Sequence, residues 1–525
     1  MLGCLGICMY FCTVIKNIKT YMKKSITSRR EALKQIGLLS AAGTTVALGL
    51  SSQSTTVHNQ RTRFPAQPPL EKTAIPSSNR ITMSSQEGFL TELRQRIDSM
   101  PMVDSHEHLQ DECERLKDNR NCIRLFRHYL GDDFVSAGLN GDSVFGKEVE
   151  NEDPVVLWRR LEPFWNGVKN TGYGQAVRIT IKELYGIDNL TESVIPQLQQ
   201  AFEKWSVPGF YEKILRGHCN LESCQVDQGL FTETTQPTLL LQDINYTNLL
   251  NGNISKEQTK RVGITEIKDL NDFHDFIRRW FQKYAPYATA TKSAIAYSRG
   301  LDFEKVPAEL AEKPCKKRLE NAQLDQEERK LLQDHVFWFC VEQADEHHLP
   351  VKLHTGYYAG SNNMKVSRVE QNVAQAADLC LQSPQTRFMF MHTAYPYGTD
   401  LISVAKQFSN AHVQTCWAWI IDPIGTKDFL KRYLVTAPSN KIHTFGGDYN
   451  VIENVTGHAR IARNGVFKAL SELVEEGYLR QDDALDLVEP LLRGNGRRIF
   501  NLEKKYKAAQ NVPWNDEPGN GSGFH

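Results

Sequence analysis

Residues 102–108 read Met102-Val103-Asp104-Ser105-His106-Glu107-His108. A short apolar lead runs into a polar stretch in which Asp104, His106 and His108 take alternate positions. Alternate residues of an extended strand share one face and lie about 6.6 Å apart by rise, so His106 and His108 can converge on a single ion. A His-x-His pair alone is common. This one gains weight from its place at the end of a strand-like run, with Asp104 in phase.

The same arrangement recurs downstream. Seven further apolar runs, at 220–226, 238–241, 288–296, 349–354, 387–392, 412–417 and 441–445, bring the total to eight. His354 closes the fifth run and His392 the sixth. Asp448 follows the eighth in Thr444-Phe445-Gly446-Gly447-Asp448, where paired glycines let the backbone bend close to a site. Helix-like segments such as 331–347 and 367–381 separate the later runs. Repeated alternation of strand and helix signals a parallel sheet. Eight such strands predict an α/β fold, a closed (β/α)₈ TIM barrel whose active site lies at the C-terminal strand ends. An open, doubly wound sheet would call for a glycine-rich phosphate turn, and neither GxGxxG nor a P-loop occurs.

Outward from the barrel, residues 110–217 show helical spacing at 154–165, 174–184 and 193–205, and read as a helical cap inserted after the first strand. The barrel domain is expected over 88–510, beginning where Phe89, Leu93 and Ile97 set a helical period. Residues 511–525 form a tail. Ser, Thr, Pro and Gln dominate 51–87, the composition of a flexible linker.

Ahead of it, Ser28-Arg29-Arg30-Glu31-Ala32-Leu33-Lys34 precedes a weakly apolar run from Ile36 to Leu50. This resembles a twin-arginine export signal, with Ala32 where that pattern carries Phe. The run is too short to span a bilayer comfortably, and Ala47-Leu48-Gly49 offers a small-x-small cleavage site. Residues 1–50 are therefore expected to be an address for a periplasmic or other extracytoplasmic protein, with Met22 the more natural start.

Charge is balanced, 62 Lys+Arg against 62 Asp+Glu in 525 residues, so no basic stripe recruits nucleic acid. The eleven cysteines lack CxxC spacing, which argues against a zinc ribbon or a disulfide framework. The expected partners are a small-molecule substrate, the twin-arginine export machinery and, in a homo-oligomer, further copies of the chain.

His-x-His after strand one, His354 and His392 after strands five and six, and Asp448 after strand eight together resemble the amidohydrolase superfamily. The likeness runs over roughly 88–505 and includes Asn495-Gly496-Arg497-Arg498-Ile499-Phe500, similar to that family's closing helix. It is closer to amidohydrolase-type domains joined to glutamine synthetase, and more distant to uronate isomerases. This closer likeness rests on Lys292 to Leu301, on His354-Thr355-Gly356 and on His392-Thr393-Ala394-Tyr395-Pro396-Tyr397.

The resemblance implies a metal held by His106, His108, His354 and Asp448. The ion would be Zn²⁺ or another borderline divalent cation, alone or, if Lys292 is carbamylated as a bridge, paired. Asp448 would act as general base. His392 would bind a second ion or polarise the substrate oxygen. Arg299 is a candidate carboxylate clamp, and Tyr297, Tyr395, Tyr397, Trp417 and Trp419 candidate pocket walls. The expected reaction is hydrolysis of a C–N bond in a small carboxylate-bearing substrate. A sugar-acid isomerase of the uronate isomerase type, or a metal-dependent decarboxylase, is the alternative.

Overall fold

The computed structural model describes residues 83–118 and 120–515. The export-signal reading, most of the linker and the tail beyond 515 lie outside the described residues. The first described element, α1 (Met83–Ser99), starts five positions ahead of the expected domain boundary and buries Phe89, Leu93 and Ile97 on one face.

β1 (Met102–Glu107) is followed by the helical insertion, whose main elements are α2 (Tyr129–Ser136), α3 (Pro154–Val168), α4 (Gly172–Tyr185) and α5 (Ile195–Trp205). Local chemistry sets these boundaries. Asp153 caps α3 by accepting from Val155 N at 2.8 Å, with Pro154 supplying the preset first turn. Thr171 caps α4 at its start and left-handed Gly186 ends it.

The strands that follow are β2 (Leu221–Val226), β3 (Leu240–Gln242), β4 (Ile244–Asn245), β5 (Thr291–Ser293), β6 (Val351–Leu353), β7 (Phe388–Phe390), β8 (Ala411–Gln414) and β9 (Ile442–His443). All pair in parallel, β1 to β3 as one ladder and β4 to β9 as another. β3 and β4 are one barrel strand interrupted at Asp243, so the eight expected strands are all present. The break is local, because Asp243 N still donates to Val226 O at 2.9 Å.

At the seam, the segment after β9 meets β1 through backbone bonds. Ser105 N donates to Phe445 O at 3.2 Å, Asp448 N to His106 O at 2.9 Å and His108 N to Tyr449 O at 3.1 Å. The fold is a (β/α)₈ barrel. Its floor is closed by Ile499, Phe500 and Leu502, which pack on Val103, Leu241, Ala290 and Met389.

Above that floor lies a polar layer. Lys352, fully buried, donates to Asp243 Oδ2 at 2.7 Å, Gln225 Oε1 at 2.6 Å and Ser105 O at 2.7 Å. All three protons of the ammonium are satisfied, the condition for holding such a group away from water.

Candidate metal centre

The strand ends converge at the barrel mouth. His106 and His108 reach it from β1 and its C-terminal extension, on the alternation read from sequence. Their Nε2 atoms lie 3.1 and 3.2 Å from Asp448 Oδ1. His392, just past β7, turns Nδ1 towards the other oxygen, Oδ2, at 3.7 Å. Asp448 is buried and sits on left-handed backbone, φ 58°. The turn before it requires glycine, because a Cβ on Gly447 would stand 1.8 Å from Glu107 Oε1.

His354 arrives just past β6, its ring centroid 4.6 Å from that of His392. Its Nε2, however, faces Tyr357 O at 2.8 Å. Among the described residues the ligand atoms cluster in two groups that share Asp448, one with His106 and His108 and one with His392 and Cys416. His354 therefore borders the cluster, where the expectation had it as a ligand.

Burial, followed by the charge of Lys292, lowers the pKa of His106 to about 3 and of His354 to about 4; burial also holds His392 well below its usual range. These imidazoles are neutral at physiological pH and offer lone pairs. His108 Nδ1 faces Asp227 O at 3.2 Å, the contact that leaves Nε2 as the donor. Burial alone would raise Asp448, but the neighbouring His106 and His108 more than reverse this and hold its carboxyl well below the usual range. Nδ1 of His106 and of His392 are buried without a hydrogen-bond partner. Against the effect of burial, Asp448 raises the pKa of His108, but neutral imidazoles at His106 and His392, an ionised carboxylate and orphaned ring nitrogens fit a divalent cation.

Lys292 reaches the site from β5, but its ammonium is engaged by Asp227 in a buried ion pair. Asp227 also accepts from Asn245 Nδ2 at 2.7 Å. A carbamate on Lys292 would set two anions face to face, so this geometry argues against the bridging role.

Arg299 is not in the site. Asp334 holds it at 2.6 Å and Asp302 at 3.1 Å, while its guanidinium lies over Phe303. Two carboxylates already neutralise it. Tyr297 does lie beside the cluster, 4.5 Å from the His354 ring, and Trp417 stands edge-on to His392 at 5.6 Å. Tyr395 lines a different depression, with Pro396, Asp422 and Arg432. Trp419 is core: its Nε1 donates to Thr444 O and its ring fills the space beside Gly465.

The cap supplies what the sequence reading missed. A cavity of ≈450 Å³ is lined by His108 from the barrel and by Arg124, Arg127 and His128 from the cap, with Gln228 and Asn450. Arg124 is paired with Asp118 at 2.9 Å, yet its Nε is buried without a partner; Arg127 donates to Phe145 O at 2.6 Å. Tyr129 stacks on Trp417 at 4.4 Å and its hydroxyl donates to Asp448 O at 2.7 Å. Asp227 could have been found as the polar residue that ends the second strand. The cap residues carried no such mark.

A metal-ligating cluster at the mouth of an eight-stranded parallel barrel defines a class, the metal-dependent barrel enzymes, and the comparisons specify it further. Residues 262–502 match the amidohydrolase family model. A uronate isomerase from Thermotoga maritima superposes with a TM-score of 0.66 at 14% identity, covering 79% of this chain and 97% of that one. Glucuronate isomerase from Caulobacter crescentus gives 0.64 at 15% identity over 84% of this chain and 98% of that one. A metal-dependent hydrolase described from Lactobacillus casei gives 0.55 at 14% identity over 79% and 98%. In sequence, Protein fluG of Emericella nidulans is 22% identical over 161 residues, 30% of this chain; the match spans only 18% of that relative's length. Over residues 262–502 the chain is thus similar to the amidohydrolase family, and its barrel is the fold of these solved structures.

Proposed function

We propose that the protein is a divalent-metal-dependent hydrolase, with zinc as its ion, that cleaves a C–N bond in a small carboxylate-bearing substrate. One observation carries this reading: His108, beside Asp448 and His106, opens into a cavity whose cap side presents two arginines. His106, His108 and Asp448 would hold a divalent ion, which would supply Lewis acidity there.

The chain's own residues do the rest. Asp448 accepts the proton of the attacking water on a carboxylate oxygen and returns it to the nitrogen as the C–N bond breaks. Asp227 fixes the His108 tautomer through its carbonyl. Arg127 and Arg124 hold the substrate carboxylate, the role first expected of Arg299. Trp417, backed by Tyr129, walls one side against bulk water.

A second reading, isomerisation of a sugar acid, is favoured by the extent of the structural likeness to uronate isomerases. The test is metal analysis followed by a panel of carboxylate-bearing amides, uronates and aromatic acids. Hydrolysis places ¹⁸O from labelled water in the new carboxylate and releases an amine. Turnover of a uronate but of no amide, at full metal occupancy, would overturn the hydrolase.

We also propose export, on the strength of Arg29-Arg30 before the short apolar run. Arg29→Lys with Arg30→Lys should strand the precursor in the cytoplasm; an unchanged extracytoplasmic yield would refute it.

A further inference from the structure

The helix Ile452–Glu475 starts shortly after Asp448 and packs on α4 of the cap, so closely that a Cβ on Gly457 would stand 1.9 Å from Ala176 O. Two of its side chains, Asn454 and His458, are one turn apart and share a face. Both are fully buried. Each directs an N–H at a main-chain carbonyl in a segment that carries a site residue. Asn454 Nδ2 donates to Leu125 O at 2.9 Å, between Arg124 and Arg127. His458 Nδ1 lies 2.9 Å from Gly447 O, the carbonyl of the peptide that leads into Asp448. A carbonyl only accepts, so this nitrogen carries the proton. Burial lowers the pKa of His458 to about 4, which leaves Nε2 a bare lone pair.

The other polar atom of each side chain, Asn454 Oδ1 and His458 Nε2, is buried without a hydrogen-bond partner. An apolar side chain of similar volume would carry no unmatched atom, so packing alone does not account for an amide and an imidazole here. What each contributes is its single hydrogen bond. The peptide between Gly447 and Asp448 is thereby held at both ends, its carbonyl by His458 and its N–H by His106 O at 2.9 Å. With that plane fixed, the φ of 58° at Asp448 sets where the carboxylate points. Across the mouth, Leu125 O is anchored while Arg124 and Arg127, on either side of it, line the cavity.

We propose that Asn454 and His458 are positioning residues, and that one face of this helix sets the Asp448 carboxylate and the arginine arm relative to each other. This rests on the metal and carboxylate reading of the mouth. His458 acts on the metal cluster through the Gly447 carbonyl, and Asn454 acts on the arginines through the Leu125 carbonyl.

The test uses the full chain, with folding checked by circular dichroism. In one arm Co²⁺ alone is titrated into metal-free protein and its visible d–d bands are recorded. His458→Leu should alter the bands and weaken Co²⁺ roughly 10–100-fold, the range for groups that orient metal ligands. His458→Asn, which returns an N–H at the position of Nδ1, should restore both. In the other arm ¹³C-labelled acetate is added to metal-free protein and its line width followed. Asn454→Leu should lose most of the broadening that the parent shows, as Arg127→Ala should, and keep the parent's Co²⁺ bands. Alanine at either position serves where leucine fails to fold. A folded His458→Leu with the parent's affinity and bands, a His458→Asn no better than the leucine, or undiminished broadening in Asn454→Leu overturns the positioning roles and leaves the metal centre standing. A parent that binds no Co²⁺, or broadens no acetate, overturns the reading of the mouth and this inference with it.

Discussion

Lys292→Met removes the ammonium of β5 while keeping most of its stem, and leaves Asp227 as a buried carboxylate. The exposures of the two side chains, 3% and 0%, leave no room for solvent to replace the lost partner. Asn245 still donates to Asp227 at 2.7 Å, but one neutral donor does not offset a full charge. Breaking a buried pair in this way typically costs about 3–5 kcal/mol, and the surviving bond places the expectation near 3. Against a total stability of roughly 5–15 kcal/mol the variant should fold but unfold at clearly lower urea. Lys292→Met with Asp227→Asn removes both charges and should recover all but about 1 kcal/mol, because the penalty lies in the orphaned carboxylate. Metal uptake by the unmutated protein should not depend on bicarbonate. A single variant as stable as the parent, a double variant no better than the single, or bicarbonate-dependent loading would each refute the ion pair and restore the carbamate.

Asp448→Asn retains an oxygen ligand but loses the charge and the basic site; metal occupancy should fall in part, and turnover at saturating Zn²⁺ by about 10²–10⁴-fold. Arg127→Ala should lower kcat/KM for a carboxylate substrate by a charge-assisted bond, roughly 1.5–3 kcal/mol, and spare a substrate whose carboxylate is replaced by an amide. Lys505, buried against Ala285 O and Pro286 O, has its pKa lowered to about 8 by burial. Between that value and the unfolded value of about 10.4 the unfolded chain binds more protons, so stability rises with pH there. The difference in unfolding free energy between the parent and Lys505→Met should shift in the parent's favour across that window, by an amount of order 3 kcal/mol; a flat difference would exclude the depressed pKa.

The barrel was legible because each strand is a short apolar run that stops at a polar residue, a pattern local in sequence. The placement of His106, His108, His392 and Asp448 at one mouth follows from the same rule, since parallel strands deliver their C-terminal ends to one side. Arg299 illustrates the limit. It lies just beyond a strand end, yet the chain turns outward and α6 (Gln326–Glu346) brings Asp334 to meet it. That encounter spans 35 positions and leaves no local signature. Arg124, Arg127 and His128 were hidden for a related reason. Helical periodicity shows that the cap buries a face, but not which residues it turns towards the barrel.

The cap does more than roof the site. Left-handed backbone at His128, His392, Thr393, Ala394, Cys416 and Asp448 gathers at the mouth, on residues that all carry a Cβ. Each such residue costs of order 1–3 kcal/mol and persists only where its surroundings over-determine it. For Asp448 those surroundings can be named. Its N–H is tied to His106 O across the barrel seam, its carbonyl accepts from Tyr129 of the cap, and the following residue, Tyr449, donates from its backbone to Glu107 Oε2 at 2.7 Å. Barrel closure, cap docking and the aim of the Asp448 carboxylate are thus one set of contacts. Tyr129→Phe, which touches neither the ligand atoms nor the arginines, should consequently reach the metal cluster through the backbone of Asp448.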